Sequence, residues 1–238
     1  MDWTLYWFMF PISIAIATAA MLSGIGGAAL FTPLFLIVFP LLGAEYPLAS
    51  WAAAIGSALV IQAFGFTSGL VGYYRRGLID FRAAVPFVVI AAPVGIIGAL
   101  FAHEVDQSRL KAAYAAMMIV LFFVLLRRQA PLEAAARGGG VGLDDDQGPP
   151  MRSIVANDGT VYRYRAPRQG KGAAATAIGA FLTGIASVGI GEVIMPQLAR
   201  RNRVPMEVAA ATSVLIAIVT VACASVAHIW ALVAGGGG

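Results

Sequence analysis

No lysine or arginine occurs in this chain before Arg75, and Asp2 and Glu45 are the only charges in that stretch. Residues 83–102 carry no charge, Glu192 is the only charge between Lys171 and Arg200, and nothing after Glu207 is charged. Each gap is long enough to cross the roughly 30 Å hydrocarbon layer of a bilayer, which takes about 20 helical residues. A backbone in lipid must satisfy its own hydrogen bonds, so such segments fold as helices, and Gly or Pro within them is tolerated where neighbours cover the freed groups. Only 12% of the residues are charged and 60% are hydrophobic, whereas ordinary globular domains are about a quarter charged. The chain cannot cover a soluble surface of its size. The expected fold is an all-α membrane protein, a polytopic helix bundle.

The first hydrophobic run has no basic start and continues to Leu42, past any cleavage point, so it reads as a retained segment and not a signal peptide. It is interrupted by Ser23-Gly24-Ile25-Gly26-Gly27, which predicts one helix up to the break and a half-length helix after it. Further spans are predicted over 48–72, 83–101, 109–126, 173–198 and 206–230, for about six to eight spans in all. The lone Cys223 lies in an apolar run, excludes an intrachain disulfide and reads as a small packing residue.

Residues 127–172 break the pattern, with eight basic and five acidic residues, a Gly138-Gly139-Gly140 segment and Pro149-Pro150. Between Ser153 and Tyr164, Asp158-Gly159 separates two alternating β-branched runs, which predicts a β-hairpin. An isolated hairpin is marginal, so it should pack against something else. The expected organisation is a first transmembrane repeat over 1–127, a linker with the hairpin over 128–172, and a second repeat over 173–238. Short loops rich in Lys and Arg stay cytoplasmic, which puts the Arg75–Arg82 loop and the linker on one side and the acidic His103-Glu104-Val105-Asp106 turn outside. Arg200-Arg201-Asn202-Arg203 then falls outside if 173–198 is one crossing. Either that segment is a re-entrant pair, or the cluster serves another purpose, such as attracting an anion or anchoring at the interface. Trp3, Tyr6, Trp7, Tyr73, Tyr74 and Trp230 fit aromatic belts.

The chain also resembles itself. Ser23-Gly24-Ile25-Gly26-Gly27, followed by Pro33, matches Val188-Gly189-Ile190-Gly191-Glu192, followed by Pro196. Ala53-Ala54-Ile55-Gly56-Ser57 matches Ala209-Ala210-Ala211-Thr212-Ser213 in the same order. Duplicated halves with Gly/Pro-broken helices point to a transporter, because broken helices expose backbone N–H groups that hold a substrate or ion, and a helix N-terminus favours an anion. The candidate substrate-binding residues are therefore Gly24, Gly26, Gly27, Pro33, Ser57, Gly189, Gly191, Pro196, Thr212 and Ser213. Close packing through small residues is the plainer account of the glycines, and interhelical hydrogen bonding that of Gln62, Thr67 and Ser68. Glu192 is the candidate proton-coupling group, since an ionisable residue in a span is costly; capping of the broken helix is the alternative. His228 reads as packed or interfacial. There is no Walker motif, no nucleophile paired with a base and no metal spacing, so neither an enzyme nor a cofactor is expected.

With Tyr73-Tyr74-Arg75-Arg76-Gly77, Asp80 and Pro205, these motifs give the chain a resemblance to the TauE/SafE family of sulfite-exporter-like membrane permeases. The resemblance spans nearly all of the chain outside the 127–172 linker. It implies two four-helix halves and movement of sulfite, sulfonates or other small organic anions across the cytoplasmic membrane. The second half stops at Gly235-Gly236-Gly237-Gly238, where two more helices are expected, and Glu192 stands where the first cluster has Gly27. The expected partners are the lipid bilayer and a small anion, with a homo-oligomer left open and nucleic acid excluded. The rival function is a channel-like or non-transporting membrane subunit that docks a soluble partner through residues 128–172. An intramembrane enzyme ranks last.

Overall fold

The computed structural model describes residues 7–23, 26–43, 51–106, 108–119, 123, 151–167, 170 and 172–235. Gly24, Trp3, Tyr6, the far part of the 109–126 span and the Gly/Asp/Pro-rich stretch up to Pro150 lie outside the described residues. Eight helices and one hairpin are described: α1 (Met9–Ser23), α2 (Ala28–Leu42), α3 (Trp51–Arg75), α4 (Phe81–Glu104), α5 (108–119), β1 (Met151–Val155), β2 (Val161–Arg165), α6 (Gly172–Ala186), α7 (Ile190–Pro196) and α8 (Met206–Gly235).

Three of these, Trp51–Arg75, Phe81–Glu104 and Met206–Ala234, are long and apolar enough to cross a membrane. They correspond to the spans expected over 48–72, 83–101 and 206–230. Their outer faces carry large apolar side chains such as Phe64, Val71, Val85, Val89, Val226 and Val233. A water-facing surface would not display so many; a lipid-facing one does. Small residues also bring α4 against α6. A Cβ on Gly98 or Gly184 would collide with backbone of the facing helix, so these glycines let α4 and α6 touch.

The stretch 173–198 is not one continuous helix. α6 ends at Ala186, the chain turns through Ser187 (φ 58°) and Gly189 (φ 138°), and α7 folds back along α6. Gly172 lies beside Gln197, and Gly179 lies beside Val193 and Gly189, so the two helices run antiparallel. The segment is a helical hairpin, the geometry that the re-entrant alternative requires, and residues 197–201 return to the end where α6 began. In the same way α1 and α2 form a helical hairpin, closed at its base by the Phe8 and Phe39 rings, 6.2 Å apart.

The two helical hairpins sit at opposite ends of the long helices. Phe31, Phe35 and Phe39 of the first pack with Ala99 of α4 and with Val221, Ala224 and Ala227 of α8. Ile190, Ile194 and Leu198 of the second pack with Ala84, Phe87 and Ala91 of α4 and with Val208, Ile216 and Ala217 of α8. Each inner helix reaches a proline, Pro33 or Pro196, and passes at once into a π turn, Leu34–Val38 or Gln197–Arg201. Proline has no N–H to give to the carbonyl four residues back. For Pro33 that carbonyl belongs to Ala29, and the buried Tyr114 hydroxyl donates to it instead at 3.0 Å.

The expected β-hairpin is present. β1 and β2 pair antiparallel from Met151↔Arg165 to Val155↔Val161, with Gly159 at φ 84° in the turn. It packs, as anticipated, on the turn between α3 and α4. The Asn157 amide side chain and backbone N–H donate to the Arg75 and Arg76 carbonyls at 2.7 and 3.0 Å, satisfying two carbonyls at the end of α3. At the start of α4, the Asp80 carboxylate caps the Ala83 N–H at 2.9 Å and accepts from Tyr164 at 2.7 Å and Arg152 at 3.1 Å. Burial pushes the Asp80 carboxyl up, but the bonds from Tyr164, Ala83 and Arg152, and the Arg152 charge, outweigh it and hold it below its ordinary value.

Candidate functional site

The tips of the two helical hairpins meet about halfway along α3, and Glu192 joins them. It stands in the first turn of α7, three residues after Gly189, where a carboxylate reaches the N–H groups opening a helix. One carboxylate oxygen accepts from the Gly189 N–H at 3.1 Å, within its own tip. The other accepts from the Gly26 N–H of the first tip at 2.9 Å. The two positive helix starts therefore converge on one carboxylate.

A ring of buried polar groups surrounds that bridge. The Gln62 side-chain oxygen, reaching in from the middle of α3, accepts from the Ala28 N–H at 2.7 Å. The Thr183 hydroxyl of α6 accepts from the Ile190 N–H at 2.8 Å and donates to the Gly179 carbonyl at 2.9 Å. Thr32 and Ser187, both almost fully buried, share a hydrogen bond of 2.8 Å across the two tips. In an apolar interior each such group must find a partner, and here the partners cross between hairpins.

The candidate residues from the sequence divide into three sets. Gly26, Gly27, Gly189, Gly191 and Glu192 gather at the tips, and Pro33 and Pro196 end the helices that lead away from them. Among the described residues, a Cβ on Gly27 or Gly191 would meet nothing within 4 Å, so each borders open space at its tip. Gly189 differs: its backbone is left-handed, and a Cβ there would lie 2.8 Å from the Gly179 carbonyl. Thr212 and Ser213 are elsewhere, near the start of α8. The Thr212 hydroxyl accepts from the Asp80 N–H at 3.1 Å, and the Ser213 hydroxyl donates to the Ala210 carbonyl at 2.9 Å. Ser57 lies on the exposed face of α3, as do Thr67 and Ser68.

Thr32, Thr183, Ser187 and Tyr114 carry no sequence signal of a site, and Gln62 reads from sequence as an interhelical hydrogen-bonding residue. Hydroxyls within apolar helices are common and carry no periodic signal. One signal was available: Gly26 to Pro33 and Gly189 to Pro196 are the same seven-residue interval. That register pairs Gly26, and not Gly24, with Gly189, and these are the two glycines that hold Glu192.

The model of the family described as Sulfite exporter TauE/SafE matches residues 9–237, nearly the whole chain. No curated protein and no solved structure matches it.

Proposed function

The chain belongs to the sulfite exporter TauE/SafE family, a family of membrane transporters, and from that premise we propose that it is a secondary transporter of a small oxyanion, sulfite or an organosulfonate, received where the two hairpin tips meet. The observation that carries this reading is the Glu192 bridge, in which N–H groups from two helix starts receive one negatively charged pair of oxygens. A sulfite or sulfonate offers the same acceptors, and the open space at Gly27 and Gly191 gives it a way to those donors as Glu192 withdraws. Glu192 thus competes with the substrate for one set of donors. Protonation of Glu192 weakens its hold on those donors, which links anion binding to proton binding.

The two halves act as inverted repeats. The matching order of break, short helix, proline and π turn supports this, as do hairpins at opposite ends of the long helices. On this reading the Arg75–Arg82 loop, the β-hairpin and Arg203 face the cytoplasm of a cell-membrane protein, and His103 faces outward.

Glu192→Gln in proteoliposomes tests the assignment with labelled sulfite and a range of internal pH. The amide no longer repels the anion or carries a proton, so flux is expected to fall at least about tenfold or to lose its pH dependence. Wild-type flux with wild-type pH dependence would remove Glu192 from the mechanism.

A further inference from the structure

Two histidines far apart in sequence meet at the end of α4 remote from the β-hairpin. His228 is completely buried on α8. Its Nε2 lies 2.8 Å from the Gly184 carbonyl oxygen, and its Nδ1 lies 3.0 Å from Nε2 of His103. The pocket is made for the ring. Gly56 of α3 faces it without a side chain, and a Cβ there would come within 2.9 Å of the His228 Cβ. His103 stands in the last turn of α4 and is half-buried, so it joins the interior to the helix end.

These bonds fix the tautomers. A carbonyl only accepts, so His228 Nε2 carries the hydrogen, and its Nδ1 in the neutral ring is a bare lone pair. His103 Nε2 must then donate to that lone pair, which leaves His103 Nδ1 as the basic nitrogen of the pair. Gly184 lies in the last turn of α6, where carbonyls carry partial negative charge and favour a cation. Among the described residues, the charged groups nearby are few. Glu104 follows His103, and Asp106 caps Ser108 at 3.0 Å. Arg109 is exposed, and Lys111 sits over the Trp51 ring. Neither α6 nor the part of α3 facing the rings contains a charged residue, and on α8 Cys223 is the nearest titratable group.

We propose that His103 and His228 form a proton-binding site, in which one proton enters at His103 Nδ1 and is passed inward to His228. As the proton bonds to His103 Nδ1, the Nε2–H bond of His103 breaks and an N–H bond forms at His228 Nδ1. His103 is again neutral, and His228 is an imidazolium held by the Gly184 carbonyl. The charge on His228 then rests against Gly184, three residues before Ser187, which bonds Thr32 across the hairpin tips. The inference goes beyond the anion reading and does not rest on it.

The test is nitrogen NMR of the histidine rings in the full chain, ¹⁵N-labelled and reconstituted in bilayers, from about pH 8 down through the ordinary histidine range to about pH 3, because a ring out of water takes up a proton less readily. At the high end His228 should carry hydrogen on Nε2 only. As pH falls, both rings should change together with one midpoint, taking up one proton per pair. In His103→Gln the His228 change should be lost from that range with the unfolding midpoint unmoved. Hydrogen on His228 Nδ1 at high pH, two separate midpoints with two protons bound, or an unaltered His228 titration in His103→Gln would each overturn the proposal. The wild-type measurement alone decides it if the variant does not fold.

Discussion

At the residue scale, glycines that look alike in sequence do different work. Gly189 is required by the backbone, since its φ of 138° disfavours any L side chain and the Gly179 carbonyl is 2.8 Å from where a Cβ would stand. Gly189→Ala should destabilise the protein by about 2–4 kcal/mol, from backbone strain plus the clash, seen as a lower unfolding temperature in detergent. Gly191→Ala meets open space, so it should fold as well as the wild type and show its effect in sulfite flux alone; an equal loss of stability in both variants would contradict this division. Tyr114 gives a parallel case. Removing its hydroxyl in Tyr114→Phe leaves the Ala29 carbonyl, already abandoned by Pro33, unpaired in a buried position, at a cost of about 1–3 kcal/mol.

At the element scale, the β-hairpin is held by one carboxylate and by the end of a helix. Tyr164 is fully buried and gives its hydroxyl to Asp80. Tyr164→Phe should loosen the hairpin by about 2 kcal/mol, the worth of a hydrogen bond to a charged group, with faster amide exchange over residues 151–165 and little change in α8. The pH dependence follows from the lowered Asp80 value. A carboxyl depressed in the folded state contributes stability above its ordinary range and loses it as pH falls through the folded value. Docking should therefore be constant near neutrality and weaken only in acid below the usual carboxylate range, a loss that Asp80→Asn should abolish.

At the scale of the whole molecule, the antiparallel packing of α6 and α7 returns residues 197–201 to the end where the β-hairpin docks. Asp158→Cys and Arg203→Cys, each in a background without Cys223, should then react with a membrane-impermeant thiol reagent from one and the same side. Labelling from opposite sides would mean that residues 173–198 cross the bilayer.

Much of this was legible in the chain itself. Charge-free runs mark the long helices because burying a charge in lipid is costly whatever the fold, and Asp158-Gly159 marks the hairpin because few residues suit its turn. Glycine and proline mark both helix breaks for the same local reason. The partners across the molecule were not legible. That Glu192 reaches Gly26, that Tyr114 repairs the gap left by Pro33, and that His103 finds His228 all depend on which helices lie side by side. Sequence periodicity reports which face of a helix is apolar, and these helices are apolar on nearly every face. Helix starts, breaks and lengths are set by local chemistry and can be read along the chain. The meeting of two hairpin tips around one carboxylate is set by close packing of small residues, and only the tertiary structure decides it.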